Sequence, residues 1–162
     1  TPRSSSAASD VYKRQALSPA TKESGCMHML PGSHRHGQIP HQKAKDFTNV
    51  LLNGQTVPGV DIKQAQCLAL QPGEASFHHG WTLHTSMPNQ SDDRRIGLNI
   101  QYLSTDVRQL KYDQDSALLV RGVDHYRHFQ EDIPTQQTFD HAALAHQRAV
   151  NEKLHSSTTD AA

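Results

Sequence analysis

The stretch Leu83–Leu103, L-H-T-S-M-P-N-Q-S-D-D-R-R-I-G-L-N-I-Q-Y-L, decides the fold. It reads as two strand segments joined by a polar hairpin loop, Pro88 to Asp93. Ile96, Leu98 and Ile100 alternate with Gly97, Asn99 and Gln101, the period-2 pattern of a half-buried strand. His84 stands at the end of the first segment, and Arg95 follows eleven residues later at the start of the second. This spacing brings an imidazole and a guanidinium to neighbouring strand ends. A neutral imidazole is a good ligand for ferrous iron, and a set of two histidines and one carboxylate leaves coordination positions open. A planar guanidinium matches a carboxylate through two parallel hydrogen bonds. Ser86, two residues beyond His84 on the same face, adds a hydroxyl for the same carboxylate. Arg94 points to the other face and reads as a solvated charge, with Asp92 or Asp93 as its partner. Asn89 fixes the turn by side-chain to backbone bonding.

Working outward, the chain is a series of short strands set off by Pro-Gly turns. Cys26–Leu30 is one, ended by Pro31-Gly32, and Gln66–Leu70 is another, followed by Pro72-Gly73. Ala75–Thr85 reads as a single long strand. On it Ser76, His78, Gly80, Thr82 and His84 share one face, and Phe77, His79, Trp81 and Leu83 the other. Along such a strand His78 lies roughly 20 Å from His84, too far to share a metal. Phe77 and Trp81 read as core, His79 as sheet-face packing and His28 as a satisfied buried polar group. Ser33–Lys45 is a His-rich polar loop in which Ser33 and His34 make loop hydrogen bonds. Asp46–Leu52 fits a short helix or a strand, and Asn53-Gly54 and Pro58-Gly59 are turns. This pattern predicts an all-β core, best fitted by a jelly roll.

After Leu103 the pattern changes. Asp106–Asp115 is polar and irregular, and Ala117–Arg121 fits a last strand. Gly122–Thr138 is loop-like. Asp140–Leu154 reads as a helix capped by Thr138 or Asp140, with Ala143, Gln147, Val150 and Leu154 on one stripe. Thr1–Gln15 lacks an apolar period and resembles translated linker sequence, so the organised part is expected to start at Ala16. The expected organisation is a non-native or disordered leader over 1–15, a partial jelly roll over 16–121, a loop and helix over 122–155, and a frayed tail over 156–162.

Composition narrows the partners. Sixteen basic residues balance sixteen acidic ones among 162, leaving no basic stripe for nucleic acid and no polybasic cluster for membranes. No apolar run approaches the roughly 20 residues that span a bilayer. Two cysteines, Cys26 and Cys67, without a signal-peptide core read as free thiols of a cytoplasmic protein. Histidine is abundant at twelve, but one mononuclear site uses only two or three of them.

Three motifs together resemble the phytanoyl-CoA dioxygenase family: G-C-M-H-M-L-P-G-S-H (Gly25–His34), L-x-P-G-E-x-x-x-H-H (Leu70–His79) and L-H-x-S-x-P-N-x-S-x-x-R-R-x-G-L (Leu83–Leu98). The later V-R-G-x-D-x-Y-x-H-F (Val120–Phe129) is similar to a tail of bacterial members. The resemblance implies a double-stranded β-helix that binds Fe(II) through an H-x-D pair on an early strand and a distal histidine on a late one, with 2-oxoglutarate as cosubstrate. By motif, the distal histidine is His84 and the 2-oxoglutarate arginine is Arg95. No His-x-Asp occurs in the 162 residues. The expectation is a truncated member that is inactive by itself, its substrate a small molecule of unread identity. An aspartate in the H-x-D pair implies hydroxylation, and a glycine or alanine there implies halogenation.

Two other readings stand beside this one. A cupin-like isomerase or binding module would use His34, His36 and His84. A non-catalytic, partly folded fragment would expose strand edges and self-associate. The segment Arg121–Phe129, with Asp124, His125, Tyr126 and His128, and the loop Ser33–Lys45 are the candidates for shaping a substrate pocket.

Overall fold

The computed structural model of the chain describes residues 3–4, 10–43, 55–110, 115–132 and 134–159. Asp46–Leu52 and the Asn53-Gly54 turn lie outside the described residues, as do 160–162 of the expected tail. The chain divides into two compact units, residues 7–102 and residues 103–162 together with 1–6. The expected boundaries were at 16 and 121.

The strands in chain order begin with β1 (Arg3–Ser4), β2 (Val11–Ala16) and β3 (Met27–Met29). Then come β4 (Gln42–Lys43), β5 (Gln55–Thr56), β6 (Gln66–Leu68) and β7 (Ala75–His79). The hairpin elements are β8 (His84–Ser86) and β9 (Gly97–Tyr102), followed by β10 (Val107–Arg108), β11 (Ser116–Ala117) and β12 (Gln130–Glu131). Among the described residues the one α-helix, α1, is His141–Thr159. An all-β core followed by a C-terminal helix is therefore the architecture found.

The first unit holds two three-stranded antiparallel sheets, ordered β7-β2-β9 and β6-β3-β8. Ala16, Ala20 and Cys26 are buried together, with Leu70 packed on them. A cavity of about 240 Å³ is lined by both sheets, by Arg14, Ser76 and Asn99 from the first and Met27 and Leu68 from the second. β8 and β9 are each the terminal strand of their sheet.

Three expectations change here. Val11–Gln15 was assigned to the leader, yet it forms most of β2, the central strand of its sheet, paired with β7 and β9 on either side. Its alternation of Val11, Lys13 and Gln15 against Tyr12 and Arg14 is short and polar, so it carries little sequence signal.

Ala75–Thr85 is not one strand. It breaks at Gly80–Leu83 into β7 and β8, which belong to different sheets. The Gly80 N–H donates to the Asp10 carbonyl (2.9 Å), the Thr82 N–H to the His79 carbonyl (2.9 Å), and the Trp81 N–H to His79 Nδ1 (3.1 Å). These bonds turn the chain from one sheet to the other.

The outer face of the first sheet is also less covered than its apolar residues suggest. Phe77, expected in the core, is 65% exposed, and Leu98 is 44% exposed.

In the second unit β1 pairs with β10 and β11 with β12, both parallel. Of the expected Ala117–Arg121 strand only Ala117 is in a strand, as the second residue of β11, and Leu118–Val120 are exposed. Asp140 caps α1 through Oδ1, accepting from the Ala142 and Ala143 N–H groups at 2.9 and 3.3 Å. The helix continues to Thr159, through the first residues of the expected tail. His146 Nε2 lies 2.6 Å from Asp132 Oδ1, tying α1 to the chain after β12.

Candidate functional site

The break at Gly80 decides the site's geometry. Because the chain turns between β7 and β8, the His78 and His84 rings meet edge to face, with centroids 5.5 Å apart. The separation of about 20 Å expected from a continuous strand is overturned. His78 stacks on Tyr12 from the other side, at 5.6 Å and 13° between planes. The β2 register explains this row, since Tyr12 is paired with both His78 and Gln101, and Arg14 with both Ser76 and Asn99. Gln101 donates its side-chain amide to the Tyr12 hydroxyl. Tyr12, Arg14, Ser76, His78, Asn99 and Gln101 thus form a polar face that sequence reasoning did not assemble. Its one legible trace was the polar alternation of Asn99 and Gln101 against Leu98 and Ile100.

His84 is held at the start of β8, which pairs with β3 through Met29. Its Nδ1 lies 2.9 Å from the Thr82 carbonyl. A carbonyl only accepts, so Nδ1 carries the proton and Nε2 presents its lone pair. A backbone carbonyl fixing the far nitrogen is the usual support of a metal-binding imidazole. Nε2 accepts from Arg14 Nη2 at 3.5 Å. As a residue His84 is exposed, but its ring is crowded by Thr82, His78 and Arg14. Desolvation, with the Arg14 charge as a smaller cause, holds its pKa below the usual histidine range, against the raising effect of the Thr82 bond.

Arg95 lies in the loop two residues before β9, and its side chain lines the inter-sheet cavity beside Arg14, Met27 and Leu68. Desolvation lowers the Arg14 pKa; Tyr12 opposes this, and the like charge of Arg95 adds to it. Ser18 anchors the approach to β9, its hydroxyl donating to the Arg94 carbonyl (3.2 Å) and accepting from the Ile96 N–H (2.7 Å). Asn89 organises the hairpin loop as expected. It donates to the Asp93 carbonyl (2.7 Å) and accepts from the Ser91 N–H (2.9 Å). Ser86 is exposed on β8 opposite Met27 and is not among the residues lining that cavity.

Ser33 is buried and joins two site segments. Its hydroxyl donates to the Leu30 carbonyl (2.8 Å) and accepts from the Leu83 N–H (2.9 Å), tying the 3-10 turn Ser33–His36 to the residue before His84. Ser33→Ala should cost about 2 kcal/mol, because it strands the Leu83 donor away from water. Urea denaturation of the two proteins measures this.

His34 stacks on His79 (5.4 Å), and His79 lies against Trp81 (5.5 Å). Among the described residues no group of three or more His, Cys, Asp or Glu side chains is placed to hold a metal ion. The cupin-like set His34, His36 and His84 therefore does not assemble. His28 is half-buried with Nδ1 unpartnered, against its expected role as a satisfied polar group. In the second unit Asp124 Oδ1 accepts from the Tyr126 (2.9 Å) and Arg127 (3.0 Å) N–H groups, a local turn that lets Arg127 adopt a φ of 52°. Among the described residues no helix is long and apolar enough to cross a membrane.

Comparison with known proteins follows the same residues. A probable alpha-ketoglutarate-dependent hypophosphite dioxygenase of Stutzerimonas stutzeri is 30% identical over 112 residues, covering 65% of this chain and 39% of that protein. Among solved structures, apo ThoJ, a non-heme monooxygenase, superposes with a TM-score of 0.78 at 29% identity, covering 94% of this chain and 54% of ThoJ. The ThoJ–Ni complex gives 0.72 at 27% identity, covering 95% of this chain and 53% of ThoJ. The chain thus spans well under two thirds of the length of these relatives. The family pattern described as phytanoyl-CoA dioxygenase matches residues 14–97, from Arg14 on the central strand through Arg95, and so the chain belongs to the phytanoyl-CoA dioxygenase family.

Proposed function

We propose that the whole protein is a non-haem Fe(II)- and 2-oxoglutarate-dependent dioxygenase that hydroxylates a small organic substrate. The observation that carries this is His84, with Nδ1 tied to a backbone carbonyl and the Nε2 lone pair presented. The similarity to a protein described as alpha-ketoglutarate-dependent, and to a structure solved with nickel, supports a metal and a 2-oxoacid together. In this reading His84 is a metal ligand, and Arg95 and Ser86 hold the distal carboxylate of 2-oxoglutarate. Arg95 suits that task through its planar fork and its position on a cavity between the sheets. A cytoplasmic setting is part of this proposal, on a sequence with only two cysteines among 162 residues.

The described residues do not complete an iron site. His84 fits one ligand position, no group of three ligands converges among the described residues, and its Nε2 is engaged by the Arg14 guanidinium. Metal affinity rests on several converging ligands, so the 162 residues alone are expected to form no succinate from 2-oxoglutarate. The whole protein, supplied with Fe(II), 2-oxoglutarate and its substrate, is expected to form succinate in step with oxygen uptake. Arg95→Ala should weaken 2-oxoglutarate binding by about 2 kcal/mol, roughly 30-fold, through loss of the charge-assisted pair. Turnover by the whole protein that ignores 2-oxoglutarate, or a variant with unchanged cosubstrate affinity, would overturn the assignment.

A further inference from the structure

We propose that Cys26 and Cys67 form a redox modification site, a dithiol that closes to a disulfide across two neighbouring strands. Their Sγ atoms lie 3.0 Å apart although the residues are 41 positions apart in sequence. The β3–β6 pairing holds them there: Met27 is opposite Leu68 and His28 opposite Cys67, which sets Cys26 diagonal to Cys67. Cys26 immediately precedes β3 and Cys67 lies on β6, and with sulfurs this close the two are within reach of a disulfide with little backbone movement.

The two thiols are unequal. Cys26 is fully buried among Ala16, Ala20 and Leu70, whereas Cys67 is exposed. Burial, with the neighbouring Cys67 as a further cause, pushes the Cys26 thiol up to about 11. Cys67 is therefore the sulfur that an oxidant meets first, and Cys26 the one that resolves it.

With hydrogen peroxide as oxidant the chemistry balances. The Cys67 thiolate attacks one peroxide oxygen, an S–O bond forms, the O–O bond breaks, and hydroxide leaves to be protonated to water. The Cys26 sulfur then attacks the Cys67 sulfenic acid. The S–S bond forms, the S–O bond breaks, and the Cys26 proton leaves with hydroxide as a second water. Two thiols lose two electrons and one peroxide becomes two waters. Closure fixes β3 to β6 at the wall that Met27 and Leu68, the chain neighbours of the two cysteines, give the cavity beside Arg95. No metal takes part, so this site stands or falls independently of the proposed dioxygenase activity.

The test treats the metal-free 162-residue chain with a small excess of hydrogen peroxide, then unfolds it, alkylates remaining thiols and maps the peptides by mass spectrometry. The expected result is loss of both thiols together, with a peptide linking Cys26 to Cys67 that a thiol reductant removes. Closure should run at least about tenfold faster in native buffer than in concentrated urea, because the fold supplies the proximity. In Cys67→Ser, peroxide should leave Cys26 intact in native buffer. Oxidation that stops at a Cys67 sulfinic acid with Cys26 still alkylated would overturn the proposal. So would a Cys67–Cys67 dimer, or equal closure rates in buffer and urea.

Discussion

Gly25→Ala is expected to destabilise the chain by about 3 kcal/mol or more, with both terms of the cost readable from its surroundings. Gly25 has a φ of 74°, a left-handed conformation that disfavours a side chain. Its neighbours enforce that angle. The Ser24 hydroxyl accepts from the Thr21 N–H (2.9 Å), the Thr21 hydroxyl accepts from the Ser24 N–H (3.1 Å), and the Cys26 N–H closes the turn on the Thr21 carbonyl (2.9 Å). A Cβ at Gly25 would stand 2.3 Å from the Met87 carbonyl oxygen. That oxygen is backbone, held one residue beyond the pairing of Ser86 with Met27, and it cannot swing aside like a side chain. Relief requires the end of β8 to move, and His84 and Ser86 with it. Gly32→Ala is the control: its φ of 78° carries the conformational cost, but nothing lies within 4 Å of the added carbon, so about 1 kcal/mol is expected. Urea midpoints of the two variants against the parent measure both. Equal losses would show that the Met87 contact is not a steric barrier.

The second large effect is on pH. His78 is only 9% exposed, and neither ring nitrogen has a hydrogen-bond partner. Burial, then the neighbouring His84 and Arg14, pull its pKa down to about 4 from an unfolded value near 6.5. Between these values the unfolded chain binds a proton that the folded chain refuses. Stability is therefore fully present above about pH 6.5 and falls as pH drops toward 4, by up to about 1.4 kcal/mol per pH unit. His84, also depressed, adds in the same direction. His78→Phe keeps a ring against Tyr12 and removes two stranded nitrogens, so it should raise stability at pH 7 by about 1–2 kcal/mol and flatten the acid slope. Denaturation of both proteins from pH 4 to 7.5, with a chelator present, measures this. An unchanged slope would show that His78 does not carry the acid sensitivity.

These two residues also show what could be read from the sequence. The hairpin around Asn89, the short strand at Met27–Met29 and the helix capped by Asp140 follow local rules, because turn chemistry and caps act over a few residues. His84 and Arg95 stood out for the same reason, each placed by its own strand end. The His78–His84 contact was hidden by one decision, whether the chain runs straight through Gly80. Apolar and aromatic residues continue across that point, and the turn depends on the Asp10 carbonyl seventy positions earlier, which no local pattern contains. The polar row of Tyr12, Arg14 and Gln101 was likewise illegible. It exists only because β2 inserts between β7 and β9, and a short polar strand announces its place through its partners.

β8 and β9 each close off a sheet, so His84 stands on a strand with one flank paired and the other flank free of a strand among the described residues. A free flank is adhesive: its N–H and C=O groups bind any extended chain that reaches them. The 162-residue chain should accordingly grow in apparent size with concentration, as sizing at serial dilutions would show. Crowded molecules would then compete for the ribbon of backbone beside the very imidazole that the proposed chemistry needs.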